Sequence, residues 1–525
     1  MSFLRFLSPA TLILTGLITS AGLASEPARV SPRSETLDLL FDTGDTPLRL
    51  ELRVEVDERT VPDIWDESFR QLTAYYDRDG DGALNAREAT RLPAPFALRQ
   101  LLWGQVAAGA EANPPFSELD LDADGRVAAT EVADWYRRAG LGNTLVGVGR
   151  PPSTERLTES LLRLVDANHD GIADESEWKA IATTLAGIDA NDDELIGPGE
   201  LVARITYPGA LGTLQLRPPA GVSIANSIAD SLPFIVLPQR LDDRLWTAAV
   251  VARRKSAAAP QISAEQLASI RQAPPTATWH IRFATIDKGH PGLSVHGAER
   301  GSRPRLSWSC GNTRFELRQD AGRLDERIAG ARDRLSVLLT ECDANANRVL
   351  DGEELQAPAA APLKALIESA DRDDDGRLSR DELNAWLTLQ EQIARGQILL
   401  TVLDHGAGLF EVLDADHDGA LSLRELRTSW SRLQEADCVA NGVFRQERLP
   451  RQLLTTVSHG LPISPLGRNT TVAPDWFTSM DRNGDGDISR REFSGGGAVF
   501  EKLDTDGDGL LSSEEATAKA ASPRK

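Results

Sequence analysis

With 525 residues, 41% hydrophobic content and a formal net charge of −22, the chain has the length for about three or four domains and enough apolar residues to fill their cores. This composition excludes a disordered acidic tail, and the charge argues against nucleic acid or an anionic membrane as a partner. Three cysteines, Cys310, Cys342 and Cys438, are too few to build a fold from disulfides.

In chain order, residues 1–25 read as a secretory signal: Arg5 precedes an apolar stretch from Leu12 to Leu23, followed by the small residues Ala24 and Ser25. No other stretch approaches the roughly 20 apolar residues of a membrane span. A periplasmic or secreted protein, without a membrane span after signal cleavage, is therefore expected. Leu37–Val56 alternates apolar residues about an Asp42-Thr43-Gly44-Asp45 turn, which predicts a β-hairpin.

A twelve-residue pattern then recurs. In DRNGDGDISRRE, oxygen-bearing side chains stand at positions 1, 3 and 5 (Asp481, Asn483, Asp485), with Gly486 at 6 and Glu492 at 12. Three inward side chains, the position 7 carbonyl of Asp487 and two glutamate oxygens would surround a hard cation, and the glycine takes the sharp turn. Six other segments repeat the pattern. The first array supplies Asp77, Asp79, Asp81, Ala83 and Glu88; Asp120, Asp122, Asp124, Arg126 and Glu131; and Asp166, Asn168, Asp170, Ile172 and Glu177. A second array supplies Asp371, Asp373, Asp375, Arg377 and Glu382, then Asp414, Asp416, Asp418, Ala420 and Glu425. The last is Asp504, Asp506, Asp508, Leu510 and Glu515.

Two segments keep the ligands but lose the glycine: Asp189 begins one with Glu194 at position 6, and Asp343 begins another with Arg348 there. Both are expected to bind weakly or not at all. A third, from Asp437, has Val439 at position 3 and Arg448 at position 12, and reads as a dead loop kept as a structural partner.

This pattern resembles the EF-hand family of helix–loop–helix modules, which implies Ca2+ as the bound ion and pairing of neighbouring loops through position 8. Leu84, Val127, Leu378, Leu421, Ile488 and Leu511 suit that position, whereas Ala173 departs from it. Eleven residues separate Glu177 from Asp189, Glu425 from Asp437 and Glu492 from Asp504, about three helical turns, so one shared helix is expected in each gap. Loops at 77, 120, 166 and 189 mirror those at 343, 371, 414 and 437, which suggests a duplication.

The expected architecture is mainly α: a hairpin plus first array over 26–205, a β-rich module over 206–320, a second array over 321–465 and an EF-hand pair over 466–525. The expected function is non-enzymatic calcium binding that rigidifies the fold. No nucleophile motif with a histidine partner and no phosphate-cradling loop stands out. Two alternatives stay open: a calcium-dependent interaction protein with a protein partner, and an enzyme with its site in 206–320.

Overall fold

The computed structural model describes residues 36–41, 48–106, 114–139, 141–149, 153–205, 207, 215–217, 234–237, 269–270, 273–283, 292–296, 305–463 and 473–520. The expected signal at 1–25 and the Asp42–Asp45 turn lie outside them.

The long strands, in chain order, are β1 (Leu37–Phe41), β2 (Leu48–Val56), β3 (Thr144–Gly149), β4 (Gln215–Arg217), β5 (Phe234–Leu237), β6 (Ala277–Phe283), β7 (Gly292–His296), β8 (Arg305–Cys310), β9 (Thr313–Asp320), β10 (Ile398–Gly406) and β11 (Arg451–Ser458). One sheet runs β5–β1–β2–β6–β7, with Arg59–Thr60 paired to β2; the other runs β4–β3–β10–β11–β9–β8. β1 and β2 pair antiparallel as the hairpin expected from their alternation. The two sheets share one core, in which Phe41, Phe234, Trp308 and Phe315 meet with ring centroids 4.2–5.3 Å apart.

These sheets overturn the expectation of a mainly α fold. The described strands of 206–320 join strands from elsewhere in the chain: β6 lies parallel to β2, and β9 lies parallel to β11. The strand that carries most of the difference is β10, ILLTVLDHG, buried at every position but its last. Ile398, Leu400 and Val402 face the other sheet, while Leu399 packs among Leu324, Ile328 and Ala394 on the helical side. A strand covered on both faces shows a continuous apolar run instead of alternation, and periodicity cannot separate it from a buried helix.

Helices lie around this sandwich. Val61–Tyr76 starts where the Thr60 hydroxyl accepts from the Asp63 N–H, with Pro62 in its first turn, and ends at Asp77, the first residue of a loop. Its buried face (Ile64, Trp65, Phe69, Leu72, Tyr76) follows the helical period. No helix among the described residues is long and apolar enough to cross a membrane. Cys342 and Cys438 are buried free thiols.

Of the three gaps expected to hold one helix that leaves the first loop and leads to the second, only the first does: Glu175–Leu185 runs unbroken from the 166 loop towards the 189 loop. Thr428 separates Leu423–Arg427 from Ser429–Glu435. In the third gap the helix is only Gly497–Leu503, because Gly495 and Gly496 precede its first turn. Each glycine would cost about 1 kcal/mol inside a helix, so the run of three is placed at the end instead.

His459, just past β11, marks where the sandwich meets the helices. Its ring stacks on Phe283 and its Nε2 lies 3.1 Å from the Arg395 carbonyl, so that nitrogen carries the proton of a neutral ring. Burial holds its pKa at about 4, below the ordinary 6.5. Because the unfolded chain takes up the proton first, stability is intact above pH 6.5 and falls as pH drops towards 4. This one group accounts for about 3 kcal/mol of that loss. Urea unfolding of His459→Gln against wild type between pH 7 and 4 should show the gap between them closing on acidification. A constant gap would mean that the imidazole titrates normally.

Candidate metal centres

The loops share one hydrogen-bond plan. The position 1 carboxylate accepts from the position 6 N–H, the position 5 oxygen accepts from the position 7 N–H, and the position 12 glutamate accepts from N–H groups at both ends. In the 77 loop these are Gly82 N to Asp77 (2.8 Å), Ala83 N to Asp81 (3.0 Å), and Arg78 N and Asn85 N to Glu88 (2.8 and 2.9 Å). The same set recurs around Asp120 and Glu131, and around Asp166 and Glu177. It recurs again around Asp371 and Glu382, and around Asp414 and Glu425. The loops closed by Glu492 and Glu515 complete the series. Each glutamate is thus fixed at both oxygens by its own loop.

Three carboxylates come within 4.8 Å of one another in five loops: Asp77, Asp79, Asp81; Asp120, Asp122, Glu131; Asp371, Asp373, Asp375; Asp414, Asp416, Glu425; and Asp504, Asp506, Glu515. In the 166 and 481 loops Asn168 and Asn483 stand at position 3, where the ligand is an amide oxygen. Ala83, Arg126, Ile172, Arg377, Ala420, Asp487 and Leu510 all occupy position 7, where the backbone carbonyl is the donor.

The electrostatics fit a divalent ion. Burial, followed by repulsion from Glu425, Asp416 and Asp418, pushes Asp414 well above the ordinary carboxylate range. Burial and then Asp416 raise Glu425 to about 7, and burial likewise raises Asp485 to about 7. These carboxylates are crowded and desolvated together, an arrangement that a hard cation with oxygen ligands relieves. Glu515 is the counter-case. Burial opposes its charge, but hydrogen bonds from Ser512 and Thr505 outweigh it and hold the carboxyl at about 2.

The loops without the glycine keep the plan. Glu194 N reaches Asp189 at 2.9 Å and Ala190 N reaches Glu200 at 2.8 Å; Arg348 N reaches Asp343 at 2.7 Å. Glu194 and Arg348 hold φ values of 65° and 68°, the left-handed turn that glycine otherwise provides. That conformation costs a side-chain-bearing residue about 1–2 kcal/mol. The 437 segment differs. It folds as a small hairpin, Val439–Ala440 against Val443–Phe444, and Arg448 Nη1 lies 3.3 Å from Asp437.

Pairing follows a rule that spacing along the chain does not reveal. The 77 loop pairs with 120 through Leu84 and Val127, 343 with 371 through Leu350 and Leu378, and 481 with 504 through Ile488 and Leu511. The remaining four cross between the repeats: Ile196 of the 189 loop pairs with Leu421 of the 414 loop, and Phe444 N of the 437 hairpin donates to the Ala173 carbonyl of the 166 loop (3.1 Å). Ala173 therefore does pair. Each crossed pair joins one complete loop to one degenerate loop.

Arginines on the loop rims were not foreseen. Arg126 Nη2 reaches Asp81 (2.9 Å), and Arg78 and Arg91 both hold Asp374 of the 371 loop. At position 4 of the 414 loop, His417 Nε2 lies 3.1 Å from Glu316 of β9, outside the ligand set.

The EF hand family model matches residues 363–387, 407–428, 475–495 and 497–515, the stretches that hold the loops at 371, 414, 481 and 504. No curated protein and no solved structure matches the chain. Ligand pattern, loop pairing and family match agree: four places in the C-terminal region match the EF hand, a module that suggests calcium as the bound ion.

Proposed function

We propose that this is an exported, non-enzymatic calcium-binding protein in which the ions brace the join between two interlocked repeats. The crossed pairing carries the reading. Helices of both repeats enter the 166/437 and 189/414 pairs, and their apolar residues, Leu161, Trp178, Phe410, Leu413 and Phe444 among them, form one core. An ion in the 166 or 414 loop therefore fixes a loop whose strand partner belongs to the other repeat. The closing glutamates are held by backbone N–H groups of their own loops, which suits a ligand role better than substrate chemistry. The sequence of residues 1–25 supports export, and calcium outside the cytoplasm is abundant enough for sites of about 10⁻⁴–10⁻³ M.

Calorimetric titration of the full chain should saturate at seven calcium ions, one for each complete loop. Glu425→Gln, which removes a bidentate charge from a buried site, should lower that count to six. Saturation at two or three ions in the wild type would overturn the reading.

A further inference from the structure

We propose that the C-terminal pair docks loop to loop on the 189/414 pair through exchanged arginines, Arg424 and Arg427 from one side and Arg491 from the other, and that calcium tightens this docking; the calcium part rests on the function proposed above. The exchange is reciprocal. Arg424, at position 11 of the 414 loop, places Nε and Nη2 on both oxygens of Asp487 (2.7 and 2.8 Å) and Nη1 on Asp508 (2.8 Å). Arg491, at position 11 of the 481 loop, places Nη2 2.6 Å from Asp192 and Nη1 3.6 Å from Glu194 in the 189 loop. Asn483 Nδ2 adds a hydrogen bond to the Asp193 carbonyl at 3.0 Å.

Apolar burial does not explain the join. The C-terminal pair keeps a core of its own, built on Phe477, Ile488, Phe493, Phe500 and Leu511. Beside the seam lies a cleft of about 770 Å³ whose lining includes Asp416, Glu425, Asp485 and Glu514. The contact is thus polar, and its charges largely share one sign.

The choice of carboxylates decides how calcium acts. Asp487 stands at position 7, where the ligand is the backbone carbonyl, so its side chain is not used by the ion. Asp192 and Glu194 stand at positions 4 and 6, also outside the ligand set. Within this seam, among the described residues, Asp508 alone is both an arginine partner and a metal-site side chain. Ions in the 414, 481 and 504 loops would therefore leave most of the arginine contacts in place. They would also offset negative charge on both faces of the seam, and the repulsion that opposes docking falls. Bidentate guanidinium–carboxylate geometry, as at Arg424–Asp487, supplies the attraction that remains.

The test uses the full chain, with calorimetry to count calcium and small-angle scattering to read dimensions. In millimolar calcium, R424E/R491E should bind the same number of ions as wild type yet show a larger radius of gyration and maximum dimension, because the pair has come away. R491E alone, on an exposed side chain that can change without disturbing a core, should shift in the same direction. Wild type in chelator should move towards the variant's dimensions. Unchanged dimensions for both variants in calcium would overturn the arginine seam. A wild type that binds calcium but keeps the same dimensions in chelator would overturn the calcium coupling. An absence of calcium heats would instead remove the function on which the coupling rests, leaving the variant comparison to judge the seam.

Discussion

Chelating calcium should lower the unfolding free energy of the full chain by about 5–12 kcal/mol relative to 2 mM calcium. An ion that binds only the folded state stabilises it by RT ln(1 + [L]/Kd); for Kd of about 10⁻⁴–10⁻³ M this is about 0.6–1.8 kcal/mol for each site. Seven sites multiply that figure, and seven divalent ions would offset fourteen of the twenty-two net negative charges. The 414 loop should be the most sensitive. Asp414 and Glu425 are both buried, so without the ion they must protonate or repel one another. The effect should also be cooperative, because the crossed pairs tie both repeats to the same core and a half cannot loosen alone. Urea unfolding in calcium and in chelator, followed by circular dichroism, measures it. Equal midpoints would show that the folded state does not depend on the ions.

The loops were legible because their chemistry is local. Twelve consecutive residues contain every donor, the turn and the position 8 contact, so spacing alone places Asp371 and Glu382 on one site. Pairing was legible only where partners are neighbours in the chain, as for Leu84 with Val127. Nothing near Ile196 says that it will meet Leu421 more than two hundred residues away. The sheets were hidden for a related reason. β2 alternates, with Leu50, Leu52, Val54 and Val56 buried and Arg53 exposed, and it announces a strand. β10 and β11 are covered on both faces and do not alternate. The rim arginines look like ordinary solvated charge in the sequence. Arg424 gains meaning only when folding brings Asp487 and Asp508 within 3 Å of it.

Outside the metal sites, the largest single-residue effect is expected at Trp386, and it probes how the 77/120 and 343/371 pairs hold each other. Trp386 lies in the helix Arg380–Arg395 that leaves the 371 loop, and it is 1% exposed. Its ring lies 5.9 Å from Tyr75 and 6.3 Å from Tyr76, which end the helix entering the 77 loop. Those tyrosines reach on to the carbonyls of Ala370 and Ser369, just ahead of Asp371, at 2.8 and 3.1 Å. One indole thus packs the entry to one site against the entry and exit of another. Trp386→Ala should cost about 3–5 kcal/mol, from lost transfer free energy and from a cavity that the surrounding rings cannot fill. The indole N–H has no hydrogen-bond partner among the described residues, so the loss is one of packing, and Trp386→Phe should recover much of it. Calcium binding at the 77 and 371 loops should weaken with Trp386→Ala, because both depend on where these helices end, while the 481 and 504 sites should be untouched. If unfolding in urea shows a loss below about 1 kcal/mol, or if all seven sites weaken alike, the two pairs are not joined through this side chain.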